Sequence, residues 1–149
     1  MMPYADRALM KFYLFIALLT STTTTLAAEP FCSSKQPHPI DVQLEQDMDR
    51  SNGVTSAMRE AQAKAYQRWD FELNRVYKEL MAILPPEAKV HLREAQRSWL
   101  LLRSADLNTW QSSMDYTGTL DRVIFDGWEL DLLRDRVCQL SKYNAFFSY

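Results

Sequence analysis

Glycine, cysteine and histidine are scarce in this chain of 149 residues, and each shortage excludes a class of function. The chain has three glycines and no glycine-rich loop that could hold a phosphate group. Its two cysteines and two histidines do not stand at the spacing of zinc ligands. The net charge of −2 also lacks the basic excess of a nucleic-acid-binding protein. We therefore predict neither a metal or cofactor nor a nucleic acid as a ligand.

A hydrophobic run long enough to cross a membrane, about 20 residues, is also missing. The longest run, residues 12–19, follows two basic residues and precedes the small-residue exit at Ala28. This layout is typical of a secretory signal peptide. We expect residues 1–28 to be cleaved near Ala28 and the mature protein to be periplasmic, without membrane insertion. An uncleaved anchor is the alternative, and Met10 is an alternative start to Met1.

From residue 39 onward, apolar residues recur every three or four positions, which predicts α-helices. The pattern breaks at residues 51–53, at Pro85-Pro86 and in the loop that precedes residue 120, where proline or glycine interrupts a helix. We predict a short helix from residue 39 to about residue 49, followed by three long helices. The long helices are predicted over about 55–84, 86–112 and 120–142.

Each amphipathic helix needs a partner for its apolar face, which predicts an all-α fold. We expect an antiparallel three-helix bundle, built from a long helical hairpin and a third helix, with a short N-terminal helix. Residues 39–149 then form one domain behind an extended lead-in at 29–38. The residues expected inside are Met58, Ala61, Ala65, Trp69, Leu73, Val76, Leu80 and Ile83, then Leu92, Ala95, Trp99, Leu102 and Leu107, then Val123, Leu130, Leu133, Val137 and Leu140.

Polar side chains are expected along the interface of the hairpin. With a turn near residue 85, Asn74 lies opposite Arg97, and Asp70 shares the face of Asn74. We therefore expect Asp70 and Asn74 to meet Arg97 or Arg103 across the interface. Such a seam either fixes the register of the helices or forms a polar pocket for a ligand. Its predicted members are Asp70, Asn74, Gln96, Arg97 and Arg103.

Catalytic constellations are not evident in the sequence. No serine stands in a nucleophile motif, and paired carboxylates such as Asp131 and Asp135 lie on amphipathic helices whose acidic faces are usually solvated. We therefore predict that the protein is not an enzyme and has no catalytic residues.

Two segments resemble a known family. A-Y-x-x-W-D-x-E-L-N-R-V-Y-K-E-L-M covers residues 65–81, and L-R-E-A-Q-R-S-W-x-x-x-R-S-A covers residues 92–105. Together they resemble the lysozyme inhibitor LprI N-terminal domain family of small exported bacterial domains, over about residues 41–140. The resemblance implies inhibition of lysozyme-like muramidases. Ala61 and Leu107 stand where members of this family typically carry cysteines, so the family's usual cross-links are missing here.

Cys32 and Cys138 are the only cysteines of the chain. In an oxidising compartment they either form a disulfide, which would join the N-terminal lead-in to the third helix, or remain separate thiols with Cys138 buried as a small apolar residue.

A partner-binding surface is predicted at the end of the bundle where the second long helix meets the third. Aromatic residues and methionine are enriched in protein interfaces. The aromatic tail, residues 143–149, either folds back onto the bundle or docks on a partner. The predicted partner-binding residues are Trp110, Met114, Asp115, Tyr116 and Thr117.

The leading functional hypothesis is a periplasmic binding protein that inhibits a cell-wall-degrading enzyme. The target would be a lysozyme-like hydrolase, or a secreted antibacterial effector for which this chain is the immunity protein. Asp115 could enter the cationic cleft of a muramidase. The alternative is a non-inhibitory envelope protein that assists assembly. The oligomeric state stays open.

Overall fold

Four helices make up most of the computed structural model, which describes Cys32, residues 36–114 and residues 118–148. They are α1 (Pro39–Arg50), α2 (Thr55–Ile83), α3 (Pro86–Ser113) and α4 (Thr119–Phe147). No strand occurs in these residues. The predicted all-α class is confirmed. The predicted signal peptide and most of the lead-in lie outside the described residues.

Local chemistry explains where the helices begin and end. Pro39 and Pro86 each open a helix, in the first turn where a missing N–H is tolerated. At the start of α1, Nδ1 of His38 accepts a hydrogen bond from the Ile40 amide at 3.2 Å. The turn after α1 uses Asn52 (φ 49°) and Gly53 (φ 76°), since a left-handed backbone suits these residue types.

The core lies mainly between α2 and α4, which pack closely and run in the same direction. Gln62 Nε2 donates to the Val123 carbonyl at one end of this interface, and Asn144 Nδ2 donates to Glu79 at the other. Apolar side chains at helical spacing fill the space between them. The buried core contains Ala65, Trp69, Leu73, Val76, Leu80, Leu84, Leu92, Leu130, Leu133, Val137 and Leu140.

Helix α1 covers one side of this pair. Its Ile40 and Leu44 pack against the core. Its Asp41 carboxylate accepts from Trp69 Nε1 at 3.2 Å and from Arg134 Nη2 at 2.9 Å. The contact therefore joins α1 to both α2 and α4.

Helix α3 is packed very differently, because Leu92 is the one residue of its 28 that is buried. Ala95 is exposed and Leu102 is 59% exposed, so their predicted burial is wrong. Ile83 of α2 is exposed as well. On the side of α3 that faces the other helices, Ala88 and Trp99 pack against the core but are only partly buried. Gln96 and Arg103 join α3 to the other helices through hydrogen bonds. The predicted three-helix bundle arrangement is therefore not confirmed.

The disulfide predicted as one of two alternatives is present. Cys32 and Cys138 are bonded, with their Cα atoms 5.4 Å apart and a separation of 106 residues in sequence. The bond ties the lead-in to the middle of α4. Within the described part of the chain, no helix has the length and apolar character that a membrane crossing requires.

Candidate functional site

The predicted polar seam does not form as expected. The side-chain amide of Asn74 donates to the carbonyl and carboxylate oxygens of Asp70, one turn earlier on α2, at 2.8 and 3.3 Å. Asp70, Asn74 and Arg97 are all exposed. The expected pairing with Arg97 or Arg103 is therefore wrong. Asp70 and Asn74 bond to each other instead, and Arg103 reaches α2 through a different residue, Tyr66.

Arg103 instead joins three helices. Its Nη2 donates to the hydroxyl of Tyr66 on α2 at 2.7 Å and to Glu129 on α4 at 2.8 Å. Its guanidinium also lies 5.5 Å from the ring centre of Tyr66 and 5.8 Å from that of Trp99. The Arg103 Nε atom is buried without a hydrogen-bond partner. This residue is the polar link that holds α3 against the α2–α4 pair.

An open groove runs beside this link, between the first halves of α2 and α4. At one edge, Arg59 Nε contacts the Asp126 carboxylate at 2.6 Å. At its floor, the side chain of Gln62 is buried, and its Oε1 has no hydrogen-bond partner. Gly127 permits this packing, because a Cβ there would lie 3.2 Å from Gln62 Nε2. The groove is lined by Arg59, Gln62, Ala63, Tyr66, Gln67, Asp126 and Glu129.

A second polar cluster lies further along α3 and α4, around Arg136. Arg136 Nε donates to the Gln96 side-chain oxygen at 2.9 Å, and Nη1 donates to that of Gln139 at 2.5 Å. Its guanidinium lies 5.6 Å from the ring centre of Trp99. Burial lowers the pKa of Arg136, an effect that the nearby hydroxyl of Tyr143 opposes. Thus Gln96, which was expected in the seam between α2 and α3, instead accepts a hydrogen bond across the contact between α3 and α4.

Sequence reasoning missed Tyr66, Glu129 and Arg136 as members of these clusters. A signal existed for Arg136, because it stands three residues after Leu133 and four before Leu140, on the apolar face of α4. Tyr66 belongs to the recognised sequence segment, but its partner could not be read from it. Glu129 carries no comparable signal in the sequence.

The predicted partner-binding end is described only in part. The rings of Trp110 on α3 and Trp128 on α4 are centred 3.7 Å apart at 70°, so Trp110 is half-buried against α4. Met114 caps the end of α3 and is also half-buried. The other three predicted contact residues, Asp115, Tyr116 and Thr117, lie outside the described residues.

The aromatic tail continues α4 rather than folding back. Phe146 is 75% exposed, and Phe147, whose ring lies edge-on to it at 5.1 Å, is half exposed. Of the two alternatives for the tail, folding back onto the bundle is therefore wrong for the part described here. Tyr149 lies outside it. Over the same described ranges, no group of three or more histidine, cysteine, aspartate or glutamate side chains could hold a metal ion.

Comparison with known proteins identifies one family and one similar fold. A family model described as lysozyme inhibitor LprI matches residues 47–140, more than half of the chain. A crystal structure of an uncharacterized protein from Burkholderia thailandensis is similar with a TM-score of 0.68 at 24% sequence identity. The match covers 76% of this chain and 57% of the Burkholderia protein, so this chain spans less than two thirds of the length of the Burkholderia protein. No curated protein matches.

Proposed function

Because the chain belongs to the lysozyme inhibitor LprI family, we propose that it is an exported, periplasmic protein that binds and inhibits a cell-wall-degrading enzyme. The observation that carries this proposal is the family match over residues 47–140, which includes all of α2 and α3 and most of α4. The family suggests a protein partner such as lysozyme and a role that is not catalytic. The target is a lysozyme-like hydrolase, or a secreted antibacterial effector for which this chain is the immunity protein.

The partner-binding surface proposed for this function is the end of the molecule where α3 meets α4. Trp110 and Met114 lie there, and Trp110 is held in place by Trp128. Residues 115–117 add an acid, a tyrosine and a threonine by sequence. An acidic residue at this end complements the cationic cleft of a muramidase, which favours encounter as well as affinity. Aromatic side chains held by a neighbouring helix suit an interface, because little entropy is lost when they bind.

A lysis assay tests the proposal directly. We expect the purified exported protein to slow the loss of turbidity of a bacterial cell-wall suspension treated with lysozyme. Replacing Asp115 by lysine should weaken this inhibition by about tenfold or more, since it reverses one charge at the interface. The matched control is Asp70→Lys, which makes the same charge change at an exposed site on α2.

The outcomes separate the candidate functions. Equal loss of inhibition in both variants would contradict the proposed surface but not the proposed function. Full lysis at a large molar excess of wild-type protein would reject lysozyme as the target. The effector version would then be tested by co-expressing the protein with candidate exported hydrolases encoded beside it. Failure of both assays would favour the non-inhibitory envelope role.

A further inference from the structure

Arg136 is a buried cation that lacks an anionic partner among the described residues. It is 6% exposed and stands on the core-facing side of α4, beside Val137. Its described hydrogen-bond acceptors, Gln96 and Gln139, are neutral amides. A buried charge is normally paired with an opposite charge, because removal from water is costly. The Arg136 guanidinium therefore lacks the negatively charged partner that a buried cation ordinarily has.

One donor atom of Arg136, Nη2, is left without an acceptor. Nε is occupied by Gln96 and Nη1 by Gln139, whereas Nη2 is buried with no hydrogen-bond partner. Nη1 and Nη2 form the end of the planar guanidinium, and two parallel N–H groups there match the two oxygens of a carboxylate. A group that replaced the Gln139 amide could accept from both nitrogens.

The Gln139 side chain, which accepts from Nη1 of Arg136, can be displaced by a ligand. Its side chain is exposed, and its Nε2 donates to the hydroxyl of Tyr143, which is also exposed, at 3.1 Å. Among the described hydrogen bonds, Arg136 is the only buried residue that holds the Gln139 side chain, so a change of the Gln139 rotamer would free Nη1. That change breaks hydrogen bonds to neutral acceptors, whereas a carboxylate would form stronger bonds with the guanidinium because both partners are then charged.

The local charge also favours an anion. Two guanidinium groups lie near the Trp99 ring, that of Arg136 at 5.6 Å and that of Arg103 at 5.8 Å from its centre. Glu129, bonded to Arg103, is the one carboxylate that pairs with either arginine in the described structure. The positive charge of Arg136 therefore remains unbalanced in the partly desolvated contact between α3 and α4, where electrostatic attraction is stronger than in water.

From this geometry we infer a binding site for a carboxylate group between α3 and α4, with Arg136 as its main ligand. The carboxylate displaces the Gln139 amide and accepts from Nη1 and Nη2, while Gln96 holds Nε and Trp99 supports the guanidinium face. The ligand is a small carboxylic acid or the C-terminal carboxylate of a short peptide. This site is distinct from the partner-binding end and does not depend on inhibition of a hydrolase.

Thermal unfolding with added ligands tests the site. The probes are sodium acetate and N-acetyl-alanyl-alanine, with the amidated dipeptide and sodium chloride at equal ionic strength as controls. We expect the free dipeptide to raise Tm in a saturable way that chloride and the amide do not reproduce. A response to acetate as well identifies a site for small acids, and a response to the free dipeptide alone identifies a site for peptide termini. No response beyond that of chloride overturns the inference.

Two variants with a matched control make the test specific. Gln139→Glu supplies an internal carboxylate, so we expect a higher Tm without ligand and no further rise with it. Gln46→Glu makes the same charge change on the exposed face of α1 and should keep the wild-type response. Arg136→Met should weaken the dipeptide affinity at least about tenfold, the loss of a charge-assisted pair. A wild-type ligand response in Gln139→Glu or Arg136→Met would contradict the site, whatever their stability.

Discussion

Helices α2, α3 and α4 have similar apolar patterns in sequence, but the interactions that hold α2 to α4 differ from those that hold α3 to this pair. Between α2 and α4, the contacts at the centre of the interface are apolar and fully buried, as at Trp69 and Leu140. Helix α3 buries one leucine and reaches the others through Arg103, Gln96 and two tryptophan contacts. Apolar burial stabilises strongly and without direction, whereas long polar links are directional and individually weak. The α2–α4 pair is thus the stable body, and α3 is an attached helix.

A paired leucine substitution should give the largest contrast between the two regions. Leu140 on α4 is fully buried, so Leu140→Ala should lower the free energy of unfolding by about 2–5 kcal/mol through lost burial and a cavity. Leu101 on α3 is 74% exposed, so Leu101→Ala should change it by no more than about 0.5 kcal/mol. Urea denaturation followed by circular dichroism measures both. Similar losses for the two variants would show that α3 is part of the stable body.

Loss of the disulfide should have the next largest effect, and it acts on the stable body. The Cys32–Cys138 bond closes a long loop onto α4, and its removal should cost about 2–4 kcal/mol, because the unfolded chain gains conformational freedom. The measurement is urea denaturation with and without reductant. The control is the double variant Cys32→Ala with Cys138→Ala. Its free energy of unfolding should equal that of the reduced wild type and should not change when reductant is added. A wild type that reductant leaves unchanged would refute this role.

The polar attachment of α3 should show a smaller effect. Arg103→Met removes the hydrogen bonds to Tyr66 and Glu129, and we expect a loss of about 1–2 kcal/mol. Arg97→Met removes an exposed guanidinium from the same helix and should cost no more than about 0.5 kcal/mol. Denaturation curves for both give the comparison. Equal effects would argue that Arg103 does not anchor α3.

The smallest expected effect concerns the pH dependence of α1 attachment. Burial lowers the pKa of His38, an effect that Glu72 and Asp41 oppose, and its Nδ1 must be unprotonated to accept from Ile40. Because the folded-state pKa lies below the unfolded one, His38 contributes stability above about pH 6.5 that is lost as the pH falls. We expect Tm to fall between pH 7 and pH 5.

The control for this pH effect is His38→Asn, which keeps a side-chain acceptor at the start of α1 but does not titrate in this range. Its Tm should vary less between pH 7 and pH 5 than that of the wild type. Glu72 contributes in a separate window, because its hydrogen bond from Arg75 lowers its pKa and its stability is lost only at more acidic pH. An unchanged pH profile in His38→Asn would exclude His38 as the source.

Much of the fold could be predicted from the sequence, since helix periods and their breaks at proline and glycine are local properties. All five residues that the sequence predicts to be inside on α4, from Val123 to Leu140, are buried. On α3 the predicted burial is confirmed for Leu92 but is wrong for Leu102, which has the right spacing but faces no partner. For the candidate site, the sequence selected Gln96 and Arg103 but not their partners. Gln96 bonds to α4 rather than α2, and Arg103 reaches α2 through Tyr66 rather than through Asp70 or Asn74.

By itself, the sequence determined the helices, the possibility of a Cys32–Cys138 bond and the family of the chain, because each follows from residue type and spacing along one segment. Only the tertiary structure decided that α4 rather than α3 is the main partner of α2. It also decided that Arg136 is buried without a counter-ion among the described residues. These outcomes depend on which side chains meet across helices that are far apart in sequence, and the periodic pattern of a single helix does not contain that information.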